Sequence, residues 1–551
     1  MNRHTSFIRA LLAVAGALLI TVTSSGNGRK FYDDDPLQRE PETQDARGAQ
    51  EQDIDLFFDL AENLFGRPGD PALDVRARNI NSIDEVPDSS WFTNRILAQP
   101  LSLEDVVRGP LTGKAPATGQ WSVVRAKQAG FAPGFTMSDA AGETWFVSFD
   151  GKGYPEAATG AIMVANKIFW ALGYWQAENY LISVRPDQLV IGDSATVVPP
   201  SGKRRKMRMS DVEEVLRRAD RAADGSYRAV AARALPGRPL GGFRYYGTRS
   251  DDPNDVVPHE HRRELRALKV FGAWTNLVDM KAGNTLDILI PSGERSLVRH
   301  YLQDVGSTFG TGANGPREYD EGAEHLFEGG LAVKRLFTLG FFMKPWQTIP
   351  YDENPAIGRF EGAFFDPTEW KPRVATAAFL RARPDDSFWA ARRVITFNDD
   401  MIRAMVKTGM YTDPSAEKLL GDVLIQRRDR IAHAYLNAVN PVIDVALDGR
   451  GALTFGNAAI AVGVATPPTG GYVVHWSQFD NNTGTAAPIG TSTADGNGRS
   501  QAPAGLPTEP GAYIKLEIKA VQPEHNAWGT PVSAYFRRAG GWRLVGLDRI
   551  P

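Results

Sequence analysis

The sequence predicts an α+β fold in two parts, a mixed domain followed by an all-β sandwich. Three observations predict it. Strand-like runs flank one long helical pattern between Trp121 and Ile191. Helical periodicity marks 258–277 and most of 317–440. After Pro441, short alternating runs separated by Gly, Pro, Asn and Thr fill about 110 residues, as is typical of a β-sandwich.

Composition narrows the possible functions. The chain has 551 residues, of which 42% are hydrophobic and 23% charged, so a disordered chain, a collagen and a coiled-coil rod are excluded. The formal net charge of -3 gives no indication of a nucleic-acid partner. Cysteine is absent, which excludes disulfides, thiolate metal sites and cysteine nucleophiles.

The N-terminus resembles an export signal. Arg3 and Arg9 precede an apolar run, Ala10 to Val22, of 13 residues. That length fits a signal peptide and is short for a membrane span. We therefore expect an exported protein of the periplasm or cell envelope, attached to the membrane only if this segment stays uncleaved.

Composition changes along the chain divide it into four expected parts. Residues 27–53 are polar and charged and predict a flexible tether, and 54–65 carry helical spacing. The expected parts are a signal peptide (1–25), a tether with an N-terminal extension (26–118), the mixed domain (119–440) and the β-sandwich (441–551).

Local patterns predict the elements of the mixed domain. Pro155 and Gly173 bound the helical pattern, as start and stop residues do. The expected strands lie at 121–127, 135–138, 143–150, 285–290 and 297–306, with a hairpin of 180–184 and 188–191 around Pro186 and Asp187. The expected helices lie at 155–174, 258–277, 389–409 and 416–439.

One stretch carries residues suited to phosphoryl transfer. A loop holds Asp279, Lys281 and Asn284, and a hairpin leads from it to Asp304, in the run Asp-Val-Gly. Phosphoryl transfer needs a carboxylate to orient the attacking hydroxyl, and an Asn and a second carboxylate to hold a divalent cation. Because a hairpin returns on itself, both polar ends are expected at the same rim.

These motifs resemble the protein-kinase-like superfamily in its atypical members, the HipA-like, CotH-like and secretory-pathway kinases, over roughly 121–440. The chain is also similar to uncharacterised exported bacterial proteins that share the runs VPDSSWFTNRI, GTRSDDPND and PHEHRREL. The resemblance implies a two-lobed domain that binds ATP with Mg or Mn. It implies that Asp279 is the catalytic-loop carboxylate and that Lys281 approaches the transferred phosphate.

The same resemblance implies the remaining parts of a nucleotide site. Asn284 and Asp304 would be the metal ligands, and the turn from Gly130 to Gly134 would cover the phosphates.

The sequence departs from the kinase pattern at two positions. In a kinase the third strand carries a phosphate-binding Lys and the next helix its Glu partner. Here Ser148 stands at the Lys position, and Ala161 and Ile162 lie where the Glu is expected. Lys152 and Glu156 are candidates to replace that pair, and the alternative is an exposed Lys beside a Glu in the first turn of a helix.

Three functions stay open from the sequence. The first is an active kinase that transfers the γ-phosphate of ATP to a hydroxyl of a protein or small molecule. The second is a degenerate pseudokinase that acts as a binding or scaffold protein of the cell envelope. The third is a hydrolase or glycan-active enzyme that uses the Asp residues differently.

Two further motifs favour structural roles. His259 and His261 are two residues apart, which does not suit a helical zinc site, so helix capping and surface contacts are expected. Trp476, Trp528 and Trp542 could bind carbohydrate, but aromatic residues on alternate faces of strands are more often core.

Overall fold

A computed structural model describes residues 28–127, 132–199, 202–329, 336–337 and 344–550. The expected signal peptide and Gly130 lie outside these ranges. Within them, no helix is both long and apolar enough to cross a membrane.

Two short helices belong to the N-terminal extension. They are α1 (Leu56–Ala61) and α2 (Leu103–Arg108). The Asp55 carboxylate accepts hydrogen bonds from the backbone N–H groups of Phe57 and Phe58 and so begins α1. Ser102 and Asp105 form a reciprocal capping box at the start of α2.

A seven-stranded sheet and two helices form the first lobe. The strands are β1 (Trp121–Ala126), β2 (Gly134–Ser138), β3 (Thr144–Phe149), β4 (Asn179–Val184), β5 (Leu189–Val197), β6 (Arg205–Lys206) and β7 (Tyr227–Arg233). Helix α3 (Ala157–Leu172) connects β3 to β4, and α4 (Met209–Leu216) connects β6 to β7. The sheet order is β4-β7-β3-β2-β1-β5-β6.

The predicted hairpin within 180–191 is wrong. Strand β4 pairs antiparallel with β7, whereas β5 runs parallel to β1 on the other side of the sheet. A short 3-10 turn, Pro186–Gln188, separates the two strands. Alternating hydrophobicity identifies a strand but not its partner, which here is decided by distant residues.

The described residues of the second lobe form a three-stranded sheet, a two-stranded sheet and the six helices named below. The strands are β8 (Arg238–Pro239), β9 (Thr285–Ser292), β10 (Arg295–Leu302), β11 (Thr311–Gly312) and β12 (Gly315–Pro316). The helices are α5 (Arg263–Arg266), α6 (Leu268–Thr275), α7 (Ala377–Leu380), α8 (Pro384–Val394), α9 (Asp399–Lys407) and α10 (Pro414–Leu436).

Two of the predicted helices are interrupted. The stretch 258–277 contains a 3-10 turn, then α5 and α6, and it ends at Asn276 in the left-handed conformation. The stretch 389–409 is divided between α8 and α9, because Asn398 caps a new helix by accepting the N–H of Met401.

The C-terminal part is a β-sandwich with one short helix. Its elements are β13 (Val442–Leu447), β14 (Ala452–Asn457), α11 (Ala458–Ala461), β15 (Tyr472–Phe479), β16 (Ala486–Ala494), β17 (Arg499–Gln501), β18 (Tyr513–Lys519), β19 (Val532–Ala539) and β20 (Gly541–Asp548). One sheet has the order β13-β14-β17 and the other β16-β15-β18-β19-β20. Trp476, Trp528 and Trp542 are buried, as expected of core residues. The α+β class with a C-terminal sandwich is confirmed.

The segment predicted to be a flexible tether is docked instead. The Phe31 ring is buried among side chains of the sandwich, and the Glu40 carboxylate lies 3.0 Å from the guanidinium of Arg262. Further along, the backbone N–H of Ala46 donates to the carbonyl of Ser296 in β10. We call residues 28–55 the strap. Its polar composition suggested disorder, but groups along it, such as the Glu40 carboxylate and the backbone N–H of Ala46, are paired with the body of the protein.

The motif around His259 is also buried, which corrects the expected surface role. His259, Glu260 and His261 are at most 2% exposed. The ring of His259 lies 2.8 Å from the carboxylate of Asp255, and that of His261 lies 3.1 Å from Asp70. The pairs hold the start of α5 in place.

Candidate functional site

The loop between α6 and β9 gathers the predicted catalytic residues. The ammonium of Lys281 lies 2.8 Å from Oδ2 of Asp279. The side-chain amide of Asn284 donates to the backbone carbonyl of Asp279 at 2.7 Å. Oδ1 of Asn284 has no hydrogen bond in the described part of the chain. The loop is thus closed on itself, with a carboxylate, an ammonium and an amide oxygen within one turn.

The β9–β10 hairpin brings Asp304 to this loop. The antiparallel register places Thr285 opposite Leu302, so the residues that flank the hairpin meet. The backbone N–H groups of Gln303 and Asp304 both donate to the carbonyl of Asn284 at 3.1 Å. The structure therefore brings Asp279, Lys281, Asn284 and Asp304 together, as the hairpin argument requires.

The carboxylate of Asp304 is exposed and available. Its Oδ1 accepts the backbone N–H of Gly306 at 3.1 Å, and among the described residues it has no ion-pair partner. Gly306 packs directly under α3, since a Cβ there would lie 2.7 Å from Cγ1 of Ile162. The Asp-Val-Gly run thus lies at the contact between the two lobes.

This donor set suits a divalent cation shared with a nucleotide. Within the described ranges, no three His, Cys, Asp or Glu side chains are grouped so that they could hold a metal ion. Mg²⁺ in phosphoryl-transfer sites is held by one or two carboxylates together with substrate phosphates and water. One free carboxylate at Asp304 and one free amide oxygen at Asn284 fit that pattern and do not fit a cage made by protein alone.

The structure does not bring Lys152 to Glu156. Lys152 is exposed beyond the end of β3, and its backbone N–H donates to the carbonyl of Arg218. The Glu156 carboxylate is buried, accepts the N–H of Thr412 at 2.9 Å and lies 3.8 Å from Arg228. Glu156 connects α3 to the second lobe, so its contacts are structural.

Gly134 lies at the start of β2 and Gly130 outside the described residues, so only one end of the predicted phosphate-covering turn can be placed. The backbone carbonyl of Gly134 accepts the N–H of Lys127, which closes the β1–β2 hairpin at the base of that turn. A Cβ at Gly134 would collide with the carbonyl of Val147, so only glycine fits there.

Helix α1 supports the candidate loop, a role that was not predicted. The Leu56 side chain lies against Gly283, so that a Cβ at Gly283 would be 3.1 Å from it. Behind it Asp59 is buried, and burial raises the pKa of its carboxyl although Arg244, 3.8 Å away, opposes the change. Asp59 stands between apolar residues of 54–65, and this was the sequence signal that could have indicated a buried contact.

Comparisons with known proteins find little. No family model and no curated protein matches the chain. Two solved structures resemble it, both at 9% identity and a TM-score of 0.27. The Golgi casein kinase with Mn/ADP bound matches over 60% of this chain and 75% of its own. A second structure of the Golgi casein kinase matches over 72% and 96%. A likeness at that TM-score carries no argument about the site, and the grouping with HipA-like and CotH-like kinases stays a prediction.

Proposed function

We propose that the protein is an exported, atypical kinase-like phosphotransferase that uses ATP with Mg or Mn. The observation that supports this most is the direct joining of the candidate loop to Asp304 through the carbonyl of Asn284. Phosphoryl transfer depends on positioning and charge rather than on covalent chemistry of the protein, so the placement of these side chains matters most.

Each residue has a definite role in this proposal. Asp279 accepts the proton of the acceptor hydroxyl, whose oxygen attacks the γ-phosphorus while the bond to the β–γ bridging oxygen breaks and ADP leaves. Asp304 and Asn284 would hold the divalent cation, which would supply positive charge to offset that of the nucleotide phosphates. Lys281 moves from Asp279 toward the transferred phosphoryl group.

The Asp279–Lys281 ion pair does not prevent this. The Lys281 side chain is 46% exposed and that of Asp279 is 22% exposed. Ion pairs in such settings are worth about 0–1 kcal/mol, so exchanging Asp279 for a phosphate costs Lys281 little.

A second candidate function is a degenerate kinase that serves as a binding or scaffold protein of the cell envelope. It is favoured by Ser148 at the expected Lys position and by Ile162 facing Gly306 where an acidic partner is expected. A hydroxyl cannot supply positive charge to a triphosphate.

Thermal unfolding of the exported protein with ATP and Mg or Mn tests the proposal. A ligand at a hundred times its dissociation constant should add about 2.7 kcal/mol of stability. We expect a metal-dependent rise in Tm in the wild type that is lost in Asp304→Ala. The control is Asp193→Ala, an exposed carboxylate on β5 for which we expect an unchanged nucleotide response.

The other outcomes are equally informative. If Tm does not rise with either metal, both the use of ATP and the proposed metal site are contradicted. A rise that persists in Asp304→Ala would place the nucleotide elsewhere. Binding without transfer of labelled phosphate to any hydroxyl acceptor offered, water included, would favour the degenerate kinase.

A further inference from the structure

One lysine lies next to the position where the kinase pattern lacks one. The ammonium of Lys127 is 3.5 Å from Oγ of Ser148. Lys127 follows the end of β1, and Ser148 lies on β3, so strand β2 separates them. The two residues are 21 positions apart in the chain, and their proximity follows from the sheet register.

The register explains how the side chain crosses β2. Gly134 is directly opposite Ser148, and its carbonyl accepts the N–H of Lys127 at 2.9 Å. Laterally adjacent residues of a pleated sheet point to the same face. Because Gly134 has no side chain, the aliphatic part of Lys127 can pass over it and present its ammonium at Ser148.

This face of the sheet is the one covered by α3. Ser148 is opposite Val230 of β7, so it shares its face with Arg228, two residues away along β7. The guanidinium of Arg228 donates to the hydroxyl of Thr159 on α3 at 2.8 Å. The other face carries Trp145, Val147 and Phe149, which are buried under the β5–α4 segment. Lys127 is therefore on the side of the sheet from which α3 reaches Gly306.

Within the described ranges, the charge of Lys127 is not neutralised by a carboxylate. Among the described residues no carboxylate lies within ion-pair distance of its ammonium, and its side chain is exposed. Lys152, the other candidate cation, lies past the end of β3, where its own N–H and that of Gly153 bond to Arg218 and Asp220. Of these two lysines, Lys127 is the one whose ammonium lies beside Ser148, the position at which the kinase pattern has a lysine.

We propose that Lys127 supplies, from the end of β1, the positive charge that contacts the α- and β-phosphates of the nucleotide. This inference rests on the proposed function and identifies the residue that makes such a function possible without a lysine on β3. Ser148 would then leave room for the Lys127 ammonium, because a longer side chain at this position would occupy the same space.

Titration of the full chain with ATP, ADP and adenosine, each with Mn, tests this. A hydrogen bond to a charged group contributes enough binding free energy that its loss in Lys127→Ala should weaken the binding of ATP and ADP about tenfold to a hundredfold. Adenosine, which has no phosphate, should bind equally to both proteins. Lys206→Ala is the matched control, since Lys206 is an exposed lysine on the edge strand of the same sheet. This variant should bind ATP and ADP as tightly as the wild type does.

Moving the lysine gives the decisive variant. Ser148→Lys in the Lys127→Ala background restores the charge at β3, and we expect ADP affinity to recover to within about threefold of the wild type. If the wild type binds ADP and Lys127→Ala binds it equally well, the inference is wrong and the proposed function stands. If the wild type binds neither nucleotide, the proposed function fails first. Unfolding without nucleotide checks that the variants are folded.

Discussion

Arg263 shows at the scale of one residue how the lobe around the candidate site is held. Its guanidinium is fully buried and is surrounded by three carboxylates, those of Asp84, Asp385 and Asp386, at 2.8–2.9 Å. The guanidinium makes four hydrogen bonds, to these three carboxylates and to the backbone carbonyl of Asp84, whereas an ammonium has only three donors. The three acids keep Arg263 charged, raising its pKa although burial alone would lower it.

Removing this guanidinium should be among the most damaging single changes. Arg263→Ala leaves three buried carboxylates without their shared partner, and breaking a buried pair in this way costs about 3–5 kcal/mol. We expect the urea midpoint of unfolding to fall accordingly. Arg217→Ala is the control, because the Arg217–Glu214 pair is 71% and 61% exposed and its loss should be within about 0.5 kcal/mol. Equal effects of the two changes would contradict this account.

At the scale of elements, α3 joins the two lobes. Asp150 at the end of β3 accepts the N–H groups of Glu156 and Thr159, which begins the helix. Further along, Tyr411 of the second lobe packs against α3 at Gly160. Because Ile162 on the same helix covers Gly306, the position of α3 determines the space beside Asp304.

A double-mutant cycle tests the contact at Gly160. A Cβ there would lie 2.5–2.6 Å from the Tyr411 ring, which is buried and cannot easily move. Gly160→Ala should lower stability, because overpacking costs about 1–3 kcal/mol and outweighs the gain in helix propensity. In a Tyr411→Ala background the sign should reverse, with Gly160→Ala adding about 1 kcal/mol. The same loss in both backgrounds would show that the ring is not the obstacle.

The elements differ in how far the sequence could predict them. Helix α3 and the β9–β10 hairpin are marked by local periodicity, Pro155, Gly173 and a Gly turn, so their place in the chain was predictable. The meeting of Asn284 and Asp304 followed, because a hairpin joins its own ends. The partners of β4 and β5, and the approach of Lys127 to Ser148, depend on register between distant segments, which local patterns do not encode.

At the scale of the whole molecule, the strap connects the β-sandwich to the candidate site. Phe31 is anchored in the sandwich, Glu40 reaches the buried Arg262, and Gln52 donates its backbone N–H to the carbonyl of Leu240. Burial raises the pKa of Glu40 although Arg262 opposes the change. The strap then leads into α1, which lies against Gly283 of the candidate loop. The strap is therefore part of the folded body.

Removing the Phe31 anchor should expose the strap without unfolding the rest of the protein. The Phe31 ring is 2% exposed and contacts Phe479, Tyr513 and Tyr535, so Phe31→Ala removes about 3–5 kcal/mol of packing at a chain end. Segments of low local stability open separately from the global transition, and trypsin cuts opened segments. We expect faster cleavage after Arg39 and Arg47, followed by mass spectrometry, with the main fragment otherwise intact.

The adjacent Tyr32 is the matched control for this experiment. Its ring is 57% exposed, so Tyr32→Ala should leave the cleavage rate close to that of the wild type. If both variants are cut equally, or if Phe31→Ala is cut throughout the chain, the anchor is not local to the strap. A selective effect would also predict that α1 loosens once the strap is cut. The hydrogen-exchange rate of the Gly283 amide would then rise. That result would show that the anchor in the sandwich affects the candidate loop.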